Sequence, residues 1–433
     1  MKIQELELIN FHGFEKRHIT LSDQFTVLVG DNGIGKTAIL DGIAVALGAF
    51  FVPIGGITAR NIKRKEIHLK QFRLGQMTDV QEQYPVEVRC RGIIDNNRIT
   101  WSRAINNSGG STTSKNAKEI TEYAKRIQNE VRQGKDTILP VFCYYGTGRL
   151  WVQKFNREKK AKNPKKVVNN RFNGYKDCLI PASNEKAFLD WFEKMTYIMI
   201  QENQEPDILK AVKKAVSVCS NDWEDISYNI KDNQMIVKKK SGELLPFSLL
   251  SDGVRNIIGM VFDISHRMAK LNPSLGEDVI RETPGIVLID ELDLHLHPTW
   301  QRRIVEDLKR TFPKVQFITT SHSPFIIQSL EEGELRKLQF IDDDEEVGEE
   351  LFIDKSIEEI SEDVMGVNGV QRSDKKNRMF EVAQQYFRLL SEDVGDSEKL
   401  KELKEELDDI EAQYSGNVAF YAFLKLQREL SGR

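Results

Sequence analysis

Gly30-Asp31-Asn32-Gly33-Ile34-Gly35-Lys36-Thr37 is a complete G-x-x-x-x-G-K-T phosphate loop. An apolar run, Phe25-Thr26-Val27-Leu28-Val29, precedes it and reads as a strand. Ala38 to Phe50 follow it and read as an apolar helix. The chemistry needs that setting. Glycines let the backbone curl until its N–H groups face a polyphosphate, and the helix N-terminus adds the favourable end of its dipole. Lys36 is placed to reach the β- and γ-phosphates, and the Thr37 hydroxyl to ligate Mg²⁺. A Gly-rich turn with a surface lysine would not need a strand before it and a helix after it. The expected ligand is a nucleoside triphosphate with Mg²⁺, gripped by residues 30 to 37.

Working outward, Gly285-Ile286-Val287-Leu288-Ile289-Asp290-Glu291 carries four consecutive branched aliphatics. Such a run fits a strand buried on both faces of a parallel sheet. Two carboxylates at its C-terminal end emerge where α/β sheets bind ligands. Asp290 is expected to hold Mg²⁺ through water, and Glu291 to act as general base on the attacking water. Val315 to Thr320 form a second long strand, ending in Ser321-His322-Ser323-Pro324, where His322 suits a sensor of the γ-phosphate. Leu249-Leu250-Ser251-Asp252-Gly253 runs into an amphipathic helix, and a Ser-x-Gly turn at a helix start is a further anion-binding nest.

At 433 residues the chain exceeds one ordinary domain, and its hydrophobic fraction of 40% is ample for globular cores. No apolar run approaches a membrane span, and the opening Met-Lys-Ile-Gln-Glu-Leu lacks the core of a signal peptide. Cys90, Cys143, Cys178 and Cys219 are scattered and make no C-x-x-C pair, so a reduced cytoplasm is expected. The net charge of −4 is uneven. Residues 331–433 hold 28 acidic and 14 basic residues, which leaves 38 acidic and 48 basic in residues 1–330. A basic body suits nucleic-acid contact, and an acidic tail suits protein contact.

Along the chain, Val86 to Arg103 reads as a hairpin turning at Asp95-Asn96-Asn97, residues 106–114 as a flexible linker, and Lys115 to Arg132 as a helix. Between Lys154 and Arg171 lie eight basic residues and one acidic, a solvated loop or a nucleic-acid contact. Helices are expected at 185–201 and 206–219, then a hairpin at 226–240. His295 and His297 lack a third ligand at suitable spacing, so zinc is not expected. Asp342-Asp343-Asp344-Glu345-Glu346 reads as a solvated acidic loop. In the tail, Leu400, Leu403, Leu407, Ile410 and Tyr414 make one apolar helical seam, with further helices near Phe380 to Leu390 and Ala419 to Leu430.

The order of phosphate loop, Ser-x-Gly helix, Asp-Glu strand and His strand resembles the ABC/SMC/RecF class of ATPases. The resemblance implies an ABC/SMC-like α/β ATPase head of mixed and parallel sheet, with Ser251 and Gly253 acting in trans on a second copy. A head-to-tail homodimer or higher homo-oligomer would be the active unit. Tyr144-Tyr145-Gly146-Thr147-Gly148-Arg149, Leu271-Asn272-Pro273, Asp290 to Gln301 and Thr319 to Pro324 are similar to a family of bacterial AAA-type ATP-binding proteins. That family includes the ATPase subunit of Septu-type phage-defence systems, which works with a separate HNH endonuclease.

The expected organisation is an ATPase lobe over residues 1–150, a basic helical insert without long heptads over 151–245, a second ATPase lobe over 246–330, and an acidic helical partner-binding tail over 331–433. Departures from the wider class are visible. Tyr-Tyr-Gly-Thr-Gly stands where a Mg²⁺-contacting glutamine is usual, Leu296-His297 replaces Leu-Asp, and His12 replaces a basic residue near the nucleotide. Slow hydrolysis, with ATP acting mainly as a conformational ligand, follows as the expectation. The function expected is a regulatory ATPase of a defence complex. RecF-like DNA repair and a nucleotide-gated scaffold are the alternatives.

Overall fold

The structure, a computed structural model, describes residues 1–74, 77–150, 170–181, 185–219, 222–339, 352, 355–367, 378, 382, 385, 386, 402, 403, 405 and 406. The chain divides into two compact units, Met1–Lys355 and Ser356–Arg433. The first opens with β1 (Lys2–Phe11), β2 (Phe14–Thr20) and β3 (Phe25–Val29), and the loop after β3 enters α1 (Lys36–Phe51). Next come β4 (Leu69–Leu74), β5 (Met77–Glu82), β6 (Val86–Ile94), β7 (Asn97–Ile105), α2 (Lys118–Arg132) and β8 (Val141–Tyr145). Helices α3 (Glu185–Glu202) and α4 (Asp207–Cys219) precede β9 (Trp223–Asn229), β10 (Gln234–Lys239), β11 (Leu244–Pro246) and α5 (Asp252–Leu271). The unit ends with α6 (Val279–Glu282), β12 (Gly285–Ile289), α7 (Pro298–Gln301), α8 (Ile304–Thr311), β13 (Val315–Thr320), α9 (Pro324–Gln328) and β14 (Leu335–Lys337).

A five-stranded sheet in the order β14-β3-β13-β12-β8 is parallel throughout. Strands β3, β8, β12 and β13 are buried at every position, which is why β12 reads as an aliphatic run rather than an alternation. Their shared direction brings the carboxyl ends of β3, β12 and β13 together, the edge at which such sheets bind ligands. A second sheet, β2-β1-β6-β7, is antiparallel. In β1 a register shift between Ile3 and Glu5 breaks strict alternation, so Ile3 reaches the core along with Leu6 and Leu8. Helix α1 packs against both sheets, and nearly all its residues are buried, from Ala38 to Phe51. Its apolar composition on every side suits a helix enclosed by two layers.

Two consecutive tyrosines of β8 point to opposite faces of the parallel sheet. The Tyr145 hydroxyl donates to Asp263 Oδ2 of α5 at 2.8 Å, and the Arg267 guanidinium pairs with the same oxygen at 2.9 Å. Arg267 also donates to the Gly174 and Lys176 carbonyls. Asn272, from the Leu271-Asn272-Pro273 motif, accepts from Leu139 N–H at 2.7 Å and donates to the Leu139 carbonyl at 2.9 Å. The side chain pairs like a strand and anchors the backbone just ahead of β8.

Three readings change. Residues 106–114 are not a free linker: Thr113 pairs with Ala104, Thr112 Oγ1 accepts from Ile62 N–H, and the Ser108 carbonyl accepts from Arg64. The acidic tail does not start at 331, because Leu335–Lys337 form the edge strand β14 beside β3. Of the 151–245 insert, α4 packs on α5 and α8, and β9 to β11 make a small antiparallel sheet. The basic loop at 154–169, the acidic run at 342–346 and most of the tail helices lie outside the described residues. In the second unit, Ser356 and Glu359 form a capping box at the start of α10 (Ile357–Glu359). Among the described residues no helix is long and apolar enough to cross a membrane.

Candidate nucleotide site

A cavity of about 640 Å³ opens at the carboxyl ends of β3, β12 and β13. Asn32, Gly33, Ile34, Gly35, Lys36 and Thr37 line it, and so do His12, Asp290, Glu291 and His322. Gly30 and Asp31 support it from beneath: their carbonyls accept from Lys36 Nζ at 2.7 and 2.9 Å. Burial lowers the Lys36 pKa, opposed by Asp290, Asp31, Glu291 and Asp293. The lysine is thus a partly buried cation at the cavity wall, placed to pair with a polyphosphate.

Gly35 closes the loop. Its φ of 102° lies in the left-handed region, and a Cβ there would sit 2.3 Å from the Phe14 ring. As N-cap of α1 it offers no side-chain acceptor, so the amino end of the helix faces the cavity without a side-chain cap. An anion fits that end.

The cation half forms at β12. Thr37 Oγ1 donates to Asp290 Oδ2 at 2.9 Å, and Thr320 Oγ1 donates to Asp290 Oδ1 at 2.8 Å. A hydroxyl and a carboxylate in contact are the hard oxygen donors that Mg²⁺ takes. The Glu291 N–H donates to Thr320 Oγ1 at 2.7 Å, so one threonine hydroxyl serves both acidic residues. Glu291 has a φ of 52°, rare for a residue with a Cβ. Asp293 Oδ1 accepts the Ser321 hydroxyl at 2.7 Å and the His322 N–H at 3.3 Å, setting the turn that presents His322. His297 accepts from Thr299 N–H at the start of α7, a capping role.

His12 reaches the cavity from the turn between β1 and β2. Its N–H donates to the Glu66 carbonyl at 2.7 Å, and its Nε2 lies 3.8 Å from Asp41 Oδ2. Arg60 binds Asp41 at 3.1 Å and Glu66 at 2.6 Å. Burial lowers the His12 pKa, so the ring is held neutral despite its carboxylate neighbours. Arg60 already occupies both carboxylates, which argues against a metal at His12, Asp41 and Glu66.

Ser251 and Gly253 do not line the cavity. Gly253 begins α5 pressed on the 291–297 segment, where an added Cβ would lie 2.2 Å from the His295 carbonyl oxygen. The site also takes in Asp41, Phe14 and Thr320 at the cavity and Asp293 behind it, which the motifs alone do not single out. Asp41 follows Thr37 by four residues, a spacing that puts both on one helix face, and Asp293 repeats the acid two residues after Glu291.

A family described as AAA domain matches residues 5–239, more than half of the chain, and one described as AAA ATPase domain matches residues 182–327. The chain belongs to the AAA domain family. As an AAA-domain ATPase it is similar to the "Retron Vc95 probable ATPase" of Vibrio cholerae serotype O1 biovar El Tor, 24% identical across 79% of this chain and 74% of that one. It is also 24% identical to the "Septu protein PtuA" of Bacillus thuringiensis, across 84% of each chain. The "SMC head domain from Thermotoga maritima" aligns over 79% of this chain and 96% of its own, with 14% identity and a TM-score of 0.43.

Proposed function

We propose that this AAA-domain ATPase binds Mg-ATP, hydrolyses it slowly, and serves as the regulatory subunit of a cytoplasmic anti-phage defence complex that controls a separate HNH-type nuclease. The observation that carries the nucleotide reading is the contact of Thr37 with Asp290 in one cavity with Lys36, Glu291 and His322. When bound, Mg²⁺ supplies charge neutralisation for the phosphates. Lys36 and the amino end of α1 hold the polyphosphate, Thr37 and Asp290 hold the ion, Glu291 takes the proton of the attacking water, and His322 meets the γ-phosphate. The defence reading rests on likeness to the retron and Septu relatives along most of the chain. Slow turnover fits Tyr144 and Tyr145 standing at the end of β8, where a Mg²⁺-contacting amide is usual; Tyr145 donates to Asp263 instead.

In this reading Ser251 and Gly253 complete the site of a second copy in a head-to-tail pair, the basic body meets nucleic acid, and the tail beyond about residue 350 docks the nuclease. Calorimetry with Mg-ATP tests the first step: binding heat should vanish in Lys36→Ala. Turnover tests the second, since Glu291→Gln should retain binding and lose hydrolysis by about a hundredfold or more. Equal near-zero rates in wild type and variant would leave a nucleotide-gated scaffold. Purified chain that cleaves DNA alone would sink the division of labour.

A further inference from the structure

The turn carrying His322 is tied to the segment after Glu291 at two points. Asp293 takes Ser321 and the His322 N–H, as described. Two residues further, the Ser323 hydroxyl donates to Gln301 Oε1 at 2.6 Å, while Gln301 Nε2 donates to the Leu296 carbonyl at 2.8 Å. One carboxamide on α7 therefore bridges the end of the 291–297 segment and the His322 turn. Gln301 does not line the cavity. The segment it braces is unusual, with Glu291 at φ 52° and His295 at φ 62°. Residues held in that region cost free energy that surrounding contacts must offset.

We infer that Gln301 is a positioning residue that sets His322 over the γ-phosphate, so that the site distinguishes a triphosphate from a diphosphate. The inference rests on the reading of His322 given above. A planar amide engaged at both ends fixes the spacing of its two partners within hydrogen-bond tolerance. Without it the turn would keep its local form, because Ser323 Oγ still accepts from Phe325 and Ile326 N–H as the cap of α9. One of its two ties to the 291–297 segment would be lost, leaving its register to the Asp293 contacts alone. A residue that only braced the fold would change the melting temperature and leave nucleotide preference alone.

Calorimetry on the full chain with Mg-ADP and with a Mg-bound imido analogue of ATP separates these roles without requiring turnover. Gln301→Ala should bind ADP within about twofold of wild type and bind the analogue about tenfold more weakly, as a misplaced contact does. Ser323→Ala breaks the same bridge from its other end, and the α9 cap with it, and should lower the ratio at least as far. His322→Ala should lower the ratio as far, and adding Gln301→Ala to it should lower it no further. A ratio unchanged in both bridge variants but reduced in His322→Ala overturns the role of Gln301 alone. A ratio unchanged in His322→Ala overturns the sensor reading, and this inference with it.

Discussion

The two loops that meet the cavity are built on different physics. The phosphate loop is shaped by backbone conformation: Gly30, Gly33 and Gly35 all have positive φ, and Lys36 is held by main-chain carbonyls. The loop after β12 is shaped by side chains, with Thr320, Ser321, Asp293 and Gln301 holding Asp290, Glu291 and His322 in place. In the first, the tolerance for a side chain is steric. In the second it is a matter of hydrogen-bond partners. Changes to the first loop should therefore remove binding of any nucleotide, and changes to the second should alter turnover and the preference for a triphosphate over a diphosphate.

Gly35→Ala should have the largest effect. It places a methyl group against the Phe14 ring on a residue with φ of 102°. Mg-ATP affinity should fall by about a hundredfold or more, since a loop that cannot close loses several amide contacts together. Adding Phe14→Ala sharpens the test: recovery of binding would assign the loss to the ring clash, and no recovery would assign it to backbone strain.

Thr320→Val should come next and act on rate. It removes the hydroxyl that donates to Asp290 and accepts from the Glu291 N–H. Turnover should fall by about tenfold, or about 1.4 kcal/mol of barrier, with nucleotide affinity within about threefold. Should affinity fall as far as the rate, the contrast between the two loops would fail.

The same contrast explains what could be read in advance. Phosphate loop, β12 and β13 were legible because each is a continuous pattern: glycine spacing around Lys36, unbroken aliphatics from Ile286 to Ile289, and a run rich in β-branched and aromatic residues from Val315 to Thr320. The hairpin β6–β7 was legible from its Asp95-Asn96-Asn97 turn, where Asp95 and Asn96 take positive φ. Gln301, Thr320 and Asp293 were not legible as a group, because their partners lie 20 to 30 residues away and only the folded chain brings them together. Strand β14 hid in an acidic stretch, as three residues cannot show a period. The loop at 106–114 has a linker's composition, yet its Thr112 hydroxyl accepts from Ile62 N–H, its Ser108 carbonyl accepts from Arg64, and its Thr113 N–H donates to the Ala104 carbonyl, which no local pattern reveals.

Away from the cavity, Tyr145→Phe probes how β8 is tied to α5. It removes a hydroxyl that donates to Asp263, a buried carboxylate that keeps Arg267 as partner. The cost should be about 2 kcal/mol of stability, the range for a hydrogen bond to a charged group, read as a shift in denaturant midpoint. A comparable loss of nucleotide affinity would show that β8 belongs with the site rather than with the frame.

The smallest effect should come from pH. His266 on α5 is buried beside the Trp191 ring at 4.9 Å, and both of its ring nitrogens lack partners. Burial, aided by Lys270 and Arg267, holds its pKa well below the ordinary histidine value. The folded chain therefore keeps the ring neutral at pH values where the unfolded chain, titrating near about 6.5, has already taken up a proton. The unfolded state then binds more protons, so stability is unaffected above about pH 6.5 and is lost as pH falls below it, on the order of 1 kcal/mol by about pH 5.5. Replacing the ring with a group that cannot titrate, His266→Phe, should flatten this part of the melting-temperature profile. The measurement is the difference between the two profiles, because other groups titrate equally in both. Were wild type and variant to lose stability in parallel from pH 7 to 5.5, a proton would be entering α5 at His266 without penalty, and the dry packing of α3 on α5 would not be what keeps that histidine neutral.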